Sequence, residues 1–143
     1  MNSIAHILLS YLIGRQFTHD PLILAMCVFW GILPDLDHIP HLASALRTGR
    51  FGPKSRSRFH ELYGLSVISS AFSIVLLFRP GLYFLYFPLL GHYLFDFLTR
   101  PTRPLYPCED TEQFGHIYPR SLKWMTVADI LVTLALACGT VLS

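Results

Sequence analysis

At 143 residues the chain has room for one domain, 1–143, and no shift in composition divides it. Hydrophobic residues make up 52% and charged residues 14%, against about 25% charged in a soluble domain. With a mean hydropathy of +0.46, this leaves too little polar surface to solvate an ordinary globule, and a membrane protein is expected. A formal charge of +2 without a focused basic patch argues against nucleic acid as a partner. Cys27, Cys108 and Cys138 form no C-x-x-C pair, which speaks against both a disulfide framework and a zinc ribbon.

The first apolar segment, roughly Ile4 to Ile13, carries His6 and lacks both a basic start and a small-residue cleavage site after Gly14. It is therefore expected to stay in the mature protein. The second, Pro21 to Leu33, opens on Asp20-Pro21, an N-cap followed by proline at the first helical position. Pro34 should end or kink that helix, because it has no N–H and pushes its predecessor away from α.

There the chain reads Pro34-Asp35-Leu36-Asp37-His38, with Pro40 and His41 beyond. In extended backbone Asp35 and Asp37 point the same way; in a helical turn Asp35 and His38 do. Ionisable groups at membrane depth are tolerated when they pair, line water or bind an ion. Carboxylate and imidazole together, with no thiolate, suit a divalent ion such as Zn, Mn or Fe. The plainer alternative is an Asp cap with His38 among the headgroups, and His41 is expected at the surface.

A basic loop, Gly49 to Arg58, leads to Phe59-His60-Glu61 and the third segment, Leu62 to Phe78. Here His60 is the better ligand candidate, since Glu61 in a first helical turn complements the helix dipole without any chemistry. The fourth segment, Leu82 to Leu98, holds His92 and Asp96, four apart and so on one helical face, where they either share an ion or hydrogen-bond each other. The fifth, Val127 to Leu142, follows Thr126-Val127-Ala128-Asp129, which has the form of a capping box and reads Asp129 as a cap.

No strict alternation suggests barrel strands. The fold class expected is all-α, an integral-membrane helical bundle of four to five short apolar helices. Each segment is at or below the ~20 residues of an untilted span, which leaves room for two of them to be re-entrant or interfacial. Nine of the eleven Lys and Arg residues lie between segments two and three or between four and five. By the positive-inside rule those loops and the N-terminus are cytoplasmic, giving a multi-pass protein of the inner (cytoplasmic) membrane with the lipid bilayer as its partner. On that topology His6, Asp35, Asp37, His60 and Asp96 all fall at the cytoplasmic ends of their segments. His19 falls on the other side and His116 in a polar loop.

These motifs resemble a known family, the predicted membrane-bound metal-dependent hydrolases of the YdjM type, some members of which are described as LexA-regulated. The resemblance covers most of the chain: an N-terminal His at His6, a Pro-Asp-x-Asp-His motif at Pro34 to His38, a His-Arg-Gly-x-Thr-His-Ser motif at His60 to Ser66, and a His-x-x-x-Asp motif at His92 to Asp96, followed by Thr99. The third motif departs from the pattern, because Leu65 stands where the family has its second histidine; Glu61 and Tyr63 are the nearby polar substitutes. The resemblance implies a metal-dependent hydrolase with ligands His6, Asp35, Asp37, His60, His92 and Asp96, with Glu61 or His38 as general base or orienting group. Its substrate would be an anionic small molecule or lipid, a phosphoester or lipid-like compound attracted by the 47 to 58 arginines. The residues leave two other functions open, an ion or proton transporter and a non-enzymatic membrane factor with a structural metal site. The oligomeric state is not encoded in any of these features.

Overall fold

The computed structural model describes residues 3–37, 39, 61–99, 102–106, 108, 111 and 122–142. Among them the chain is all-helical: α1 (Ser3–Arg15), α2 (Pro21–Ile32), α3 (Leu62–Phe78), α4 (Tyr86–Thr99) and α5 (Leu122–Leu142), with 3-10 helices at Leu33–Asp37 and Pro80–Leu85.

The helix ends follow local chemistry. Asp20 caps α2 as expected, its Oδ1 accepting from Leu22 N at 2.8 Å and Ile23 N at 3.2 Å, so two of the N–H groups a helix start leaves open are satisfied. Pro34 stops α2 at Ile32, and the chain tightens into the 3-10 helix that carries Asp35. The fourth segment differs from expectation. It begins as a 3-10 helix, and α4 proper starts only at Tyr86. Pro88 explains this: proline is tolerated in the first turn, where its missing N–H has no intrahelical partner, but further inside a helix it clashes with the carbonyl four residues back.

The capping-box reading at Thr126 is corrected. α5 starts at Leu122, so Thr126 and Asp129 lie inside the helix and Asp129 is buried rather than capping. No Pro or Gly between Leu122 and Asp129 interrupts the helix, so it runs through the Thr-x-x-Asp pattern.

α1 is central. It packs against α2, α4 and α5, while α3 leans on α4 and on the 3-10 helix Pro80–Leu85. Glycines let these backbones approach. A Cβ on Gly14 would stand 2.9 Å from Cys27 Cβ, and one on Gly31 would overlap Ser10 Oγ and stand 2.6 Å from Ser10 Cβ. A small apolar core of Cys27, Phe72 and Leu85, with Trp30 and Tyr86 against it, ties α2, α3 and the 3-10 helix together. Phe17, after α1, stacks on Phe84 and Phe87 and closes the end of the bundle opposite His6.

Among the described residues one helix is long and apolar enough to cross a membrane: Trp124–Leu142, 19 residues of mean hydropathy 2.0, almost all of it unburied. The described parts of α1, α2 and α3 are apolar but shorter.

Candidate metal centre

Three elements that are distant in sequence bring four acid and imidazole side chains together. His6 comes from the first turns of α1, Asp35 from the 3-10 helix after α2, and His92 and Asp96 from one face of α4. One ligand atom each of His6, Asp35 and His92 lie within 4.8 Å of one another. His6 and His92 are both 1% exposed and Asp96 is 3% exposed, with the two rings stacked 3.8 Å apart at 19°.

The crossing of α1, α2 and α4 positions this group. Ser10 donates its hydroxyl hydrogen to His6 O at 2.7 Å, one turn back along α1, and so needs nothing from α2. Gly31 can therefore sit directly against it. That approach presents Gly31 O to His92 Nδ1 at 2.8 Å.

A carbonyl oxygen only accepts, so Nδ1 of His92 carries the hydrogen and the lone pair of a neutral ring lies on Nε2. This Nε2 is 3.8 Å from Asp35 Oδ1 and 3.9 Å from Asp96 Oδ2. The spacing is too long for a hydrogen bond. It matches the roughly 3–4 Å between two atoms that each bind one ion at about 2.0–2.2 Å.

His6 is oriented from the other side. Its Nε2 donates to Asp96 Oδ1 at 3.2 Å, as an ionised carboxylate requires. His6 Nδ1 is buried with no hydrogen-bond partner among the described atoms, and an imidazole lone pair left so is costly. Two imidazole nitrogens beside carboxylate oxygens form a set of acceptors that a divalent cation satisfies at once, and the donors present fit one. His6, Asp35 and His92 would hold it. Asp96 has one oxygen engaged with His6, while its Oδ2 faces His92 Nε2. A carbonyl or carboxylate on the far nitrogen of a metal-ligating His is the usual device for fixing its tautomer.

The other sequence candidates are placed as follows. The backbone of Asp37 closes the 3-10 helix; its side chain, His38 and His60 lie outside the described residues. Glu61 is not in the first turn of α3 but at its N-cap, φ −110° and ψ 177°, and makes no capping bond with its side chain. Its carboxylate, 2% exposed, accepts instead from Arg103 N at 3.0 Å through Oε2, and it is not part of the converging group. Tyr63 is half-exposed on α3, and Leu65 faces a cavity beside α4. Thr99 turns its hydroxyl back to Phe95 O at 2.6 Å. His19 pairs with Arg15 at the far end of α1, as its expected placement away from the group requires.

Sequence reasoning passed over Ser10 and Gly31. Their signals were present but faint: a small hydroxyl residue four after His6 and a glycine three before Pro34. No family model, curated protein or solved structure matches the chain, so its reading rests on the convergence of His6, Asp35, His92 and Asp96 at one end of a helical bundle.

Proposed function

We propose that this protein is a membrane-embedded, metal-dependent hydrolase that binds a divalent ion, Zn foremost with Mn or Fe as alternatives, and cleaves a phosphoester or lipid-like substrate at one end of the bundle. The observation that carries the reading is the approach of His6, Asp35 and His92 to within 4.8 Å across three elements. A divalent ion bound there would lower the pKa of a coordinated water to about 7 and polarise the scissile group.

The chain's own residues do the positioning. Gly31 O holds His92 with Nε2 toward the carboxylates, and Asp96 holds His6. Asp35, whose side chain is 13% exposed against 0% for His92, is the ligand nearest to solvent and marks the side from which water and substrate arrive. This activity is the one implied by the resemblance to the YdjM-type hydrolases.

Membrane embedding is supported by α5. This 19-residue apolar helix is left almost wholly uncovered by the other described residues, and at 1.5 Å per residue it approaches the ~30 Å hydrocarbon thickness. On α3, Leu77 and Phe78 are about four-fifths exposed. The hydroxyls of Ser66, Ser70 and Ser73 bond the carbonyls four residues back at 2.8, 2.8 and 2.9 Å, an internal arrangement suited to surroundings without water. A multi-pass protein of the inner membrane, N-terminus cytoplasmic, accords with these features and with the arginine-rich loops.

One observation favours a second reading, a non-enzymatic membrane factor with a structural metal. His6 and His92 are closed off from solvent, and structural sites are closed where catalytic ones keep a position open. The deciding experiment is elemental analysis of the purified protein in nanodiscs beside turnover on a panel of phosphoesters. The hydrolase reading expects metal near stoichiometric amounts and turnover, both lost in His92→Ala. Metal without turnover selects the structural reading. Absence of metal, with His92→Ala no different, defeats both.

A further inference from the structure

Four glycines set the heights of the helices against one another. Gly14 abuts Cys27, Gly31 abuts Ser10, Gly91 faces Ile13 and Leu9, and a Cβ on Gly139 would stand 3.4 Å from Leu12. Counting along α2 from Gly31 and along α4 from Gly91 brings Asp35 and Asp96 level with His6, and the His6–Asp96 contact at 3.2 Å agrees. Gly139 and Leu12 each lie three residues before the end of their helix. Because α1 and α5 also pack side by side, they run parallel. Six residues back from that contact, His6 is level with Thr133, the midpoint of the apolar run Trp124–Leu142.

The two ends of that run carry the marks of a membrane boundary. At one end Arg15 closes α1, Phe17 stacks on Phe84 and Phe87, and the exposed Tyr83 meets both of those rings edge-on. At the other Lys123 precedes Trp124, which is exposed. Aromatic rings beside Lys and Arg are the usual residues at headgroup level. His6 is nine residues from Arg15 and Thr133 nine from Trp124, about 13 Å each way at 1.5 Å per residue. Asp35, the member of the cluster that keeps an edge open, is followed by the exposed Leu36 and Ile39, so that edge opens among apolar side chains.

We propose that the His6, Asp35, His92 and Asp96 cluster lies at mid-depth of the bilayer rather than at its surface, and is reached from the hydrocarbon side past Asp35. The short α1 and α2, 13 and 12 residues, end at this depth, while α5 alone runs on to the far boundary. Ionisable groups persist at such a depth when they pair or bind an ion, and His6 and Asp96 are paired. The substrate class follows. A water-borne phosphoester would have to shed its hydration to come so far in, whereas a lipid-like compound already dissolved in the membrane would not. The depth rests on the membrane-embedded reading above, and the substrate class on the hydrolase reading as well.

The test uses the full chain in nanodiscs, with Cys108→Ser and Cys138→Ser removing the exposed thiols and the buried Cys27 kept. Nitroxides are attached one at a time at Ile7→Cys and Leu94→Cys beside the cluster, at Leu134→Cys on α5, and at Phe17→Cys and Trp124→Cys at the two boundaries, all of them exposed positions. Collision with oxygen relative to a water-soluble nickel chelate is expected to be several-fold higher at 7, 94 and 134 than at 17 and 124. A ratio at 7 and 94 as low as at 124, with 134 high, overturns the depth and leaves the protein in the membrane. A low ratio at every position, 134 included, overturns the membrane reading with it. Access is read on metal-loaded protein with bathophenanthroline and its water-soluble disulfonate. The first should strip metal several-fold faster, and equal rates overturn access from the hydrocarbon side. The nitroxide profile needs no metal, so a chain with the expected profile that retains none refutes the hydrolase and not the depth.

Discussion

The bundle is packed in two different ways on the two sides of α4. Toward α1 and α2 the backbones nearly touch: Gly31 is seated on Ser10, and a Cβ on Gly91 would stand 2.9 Å from the end of Ile13. Toward α3 the same helix faces a cavity held open by a hydrogen bond at each end. The tight side carries the His6, Asp35 and His92 cluster, which could hold a metal ion only with its side chains oriented to a fraction of an ångström. The loose side offers volume and apolar walls, which impose shape but little geometry. One helix thus meets a close-packed crossing on one face and an apolar groove on another.

The comparison is broken most directly at its tight side. Gly31→Ala forces a methyl into Ser10 and should cost several kcal/mol, at or above the ~1–3 kcal/mol usual for overpacking. It should also displace the carbonyl that orients His92. Chemical unfolding in mild detergent reads the first effect and metal retention the second, and Gly31→Ala combined with Ser10→Gly should recover part of both. Unchanged unfolding in the single variant would mean that the helices are not in contact there.

His6→Ala and His92→Ala should each bring bound metal close to background, since each removes one of three converging ligands; elemental analysis after dialysis against a mild chelator measures it. A smaller effect is expected from Asp96→Asn. Its amide oxygen still accepts from His6 Nε2, but the charge is gone, and loss of such an orienting group weakens metal binding by about 10–100-fold. Metal competition titrations give the number, and a loss as complete as in His92→Ala would make Asp96 a ligand rather than an orienting group. The smallest effect belongs to the loose side: Tyr86→Phe removes the Ser69 bond at the hairpin pin and should cost about 1 kcal/mol of stability with no change in metal content.

Much of this protein was legible in order along the chain. The Asp20-Pro21 cap and the stop at Pro34 act within a turn of themselves, so local reading placed α2, while the 3-10 helix after it was left open between extended backbone and a helical turn. Thr126 to Asp129 carries a local signal too, yet α5 runs straight through it, because a capping pattern begins a helix only where the preceding residues decline to be helical. His6, Asp35, His92 and Asp96 were recognisable as candidates because imidazoles and carboxylates are conspicuous in apolar segments.

What these groups do to one another was decided by tertiary structure alone. The tautomer of His92 is set by a carbonyl sixty-one residues away. The partition of Asp96 toward His6 and the diversion of Glu61 to Arg103 depend equally on contacts between elements. Helix period and capping are properties of neighbouring residues, whereas the direction in which a ring nitrogen points depends on how closely two helices cross, and that distance is set by the glycine and serine at the crossing.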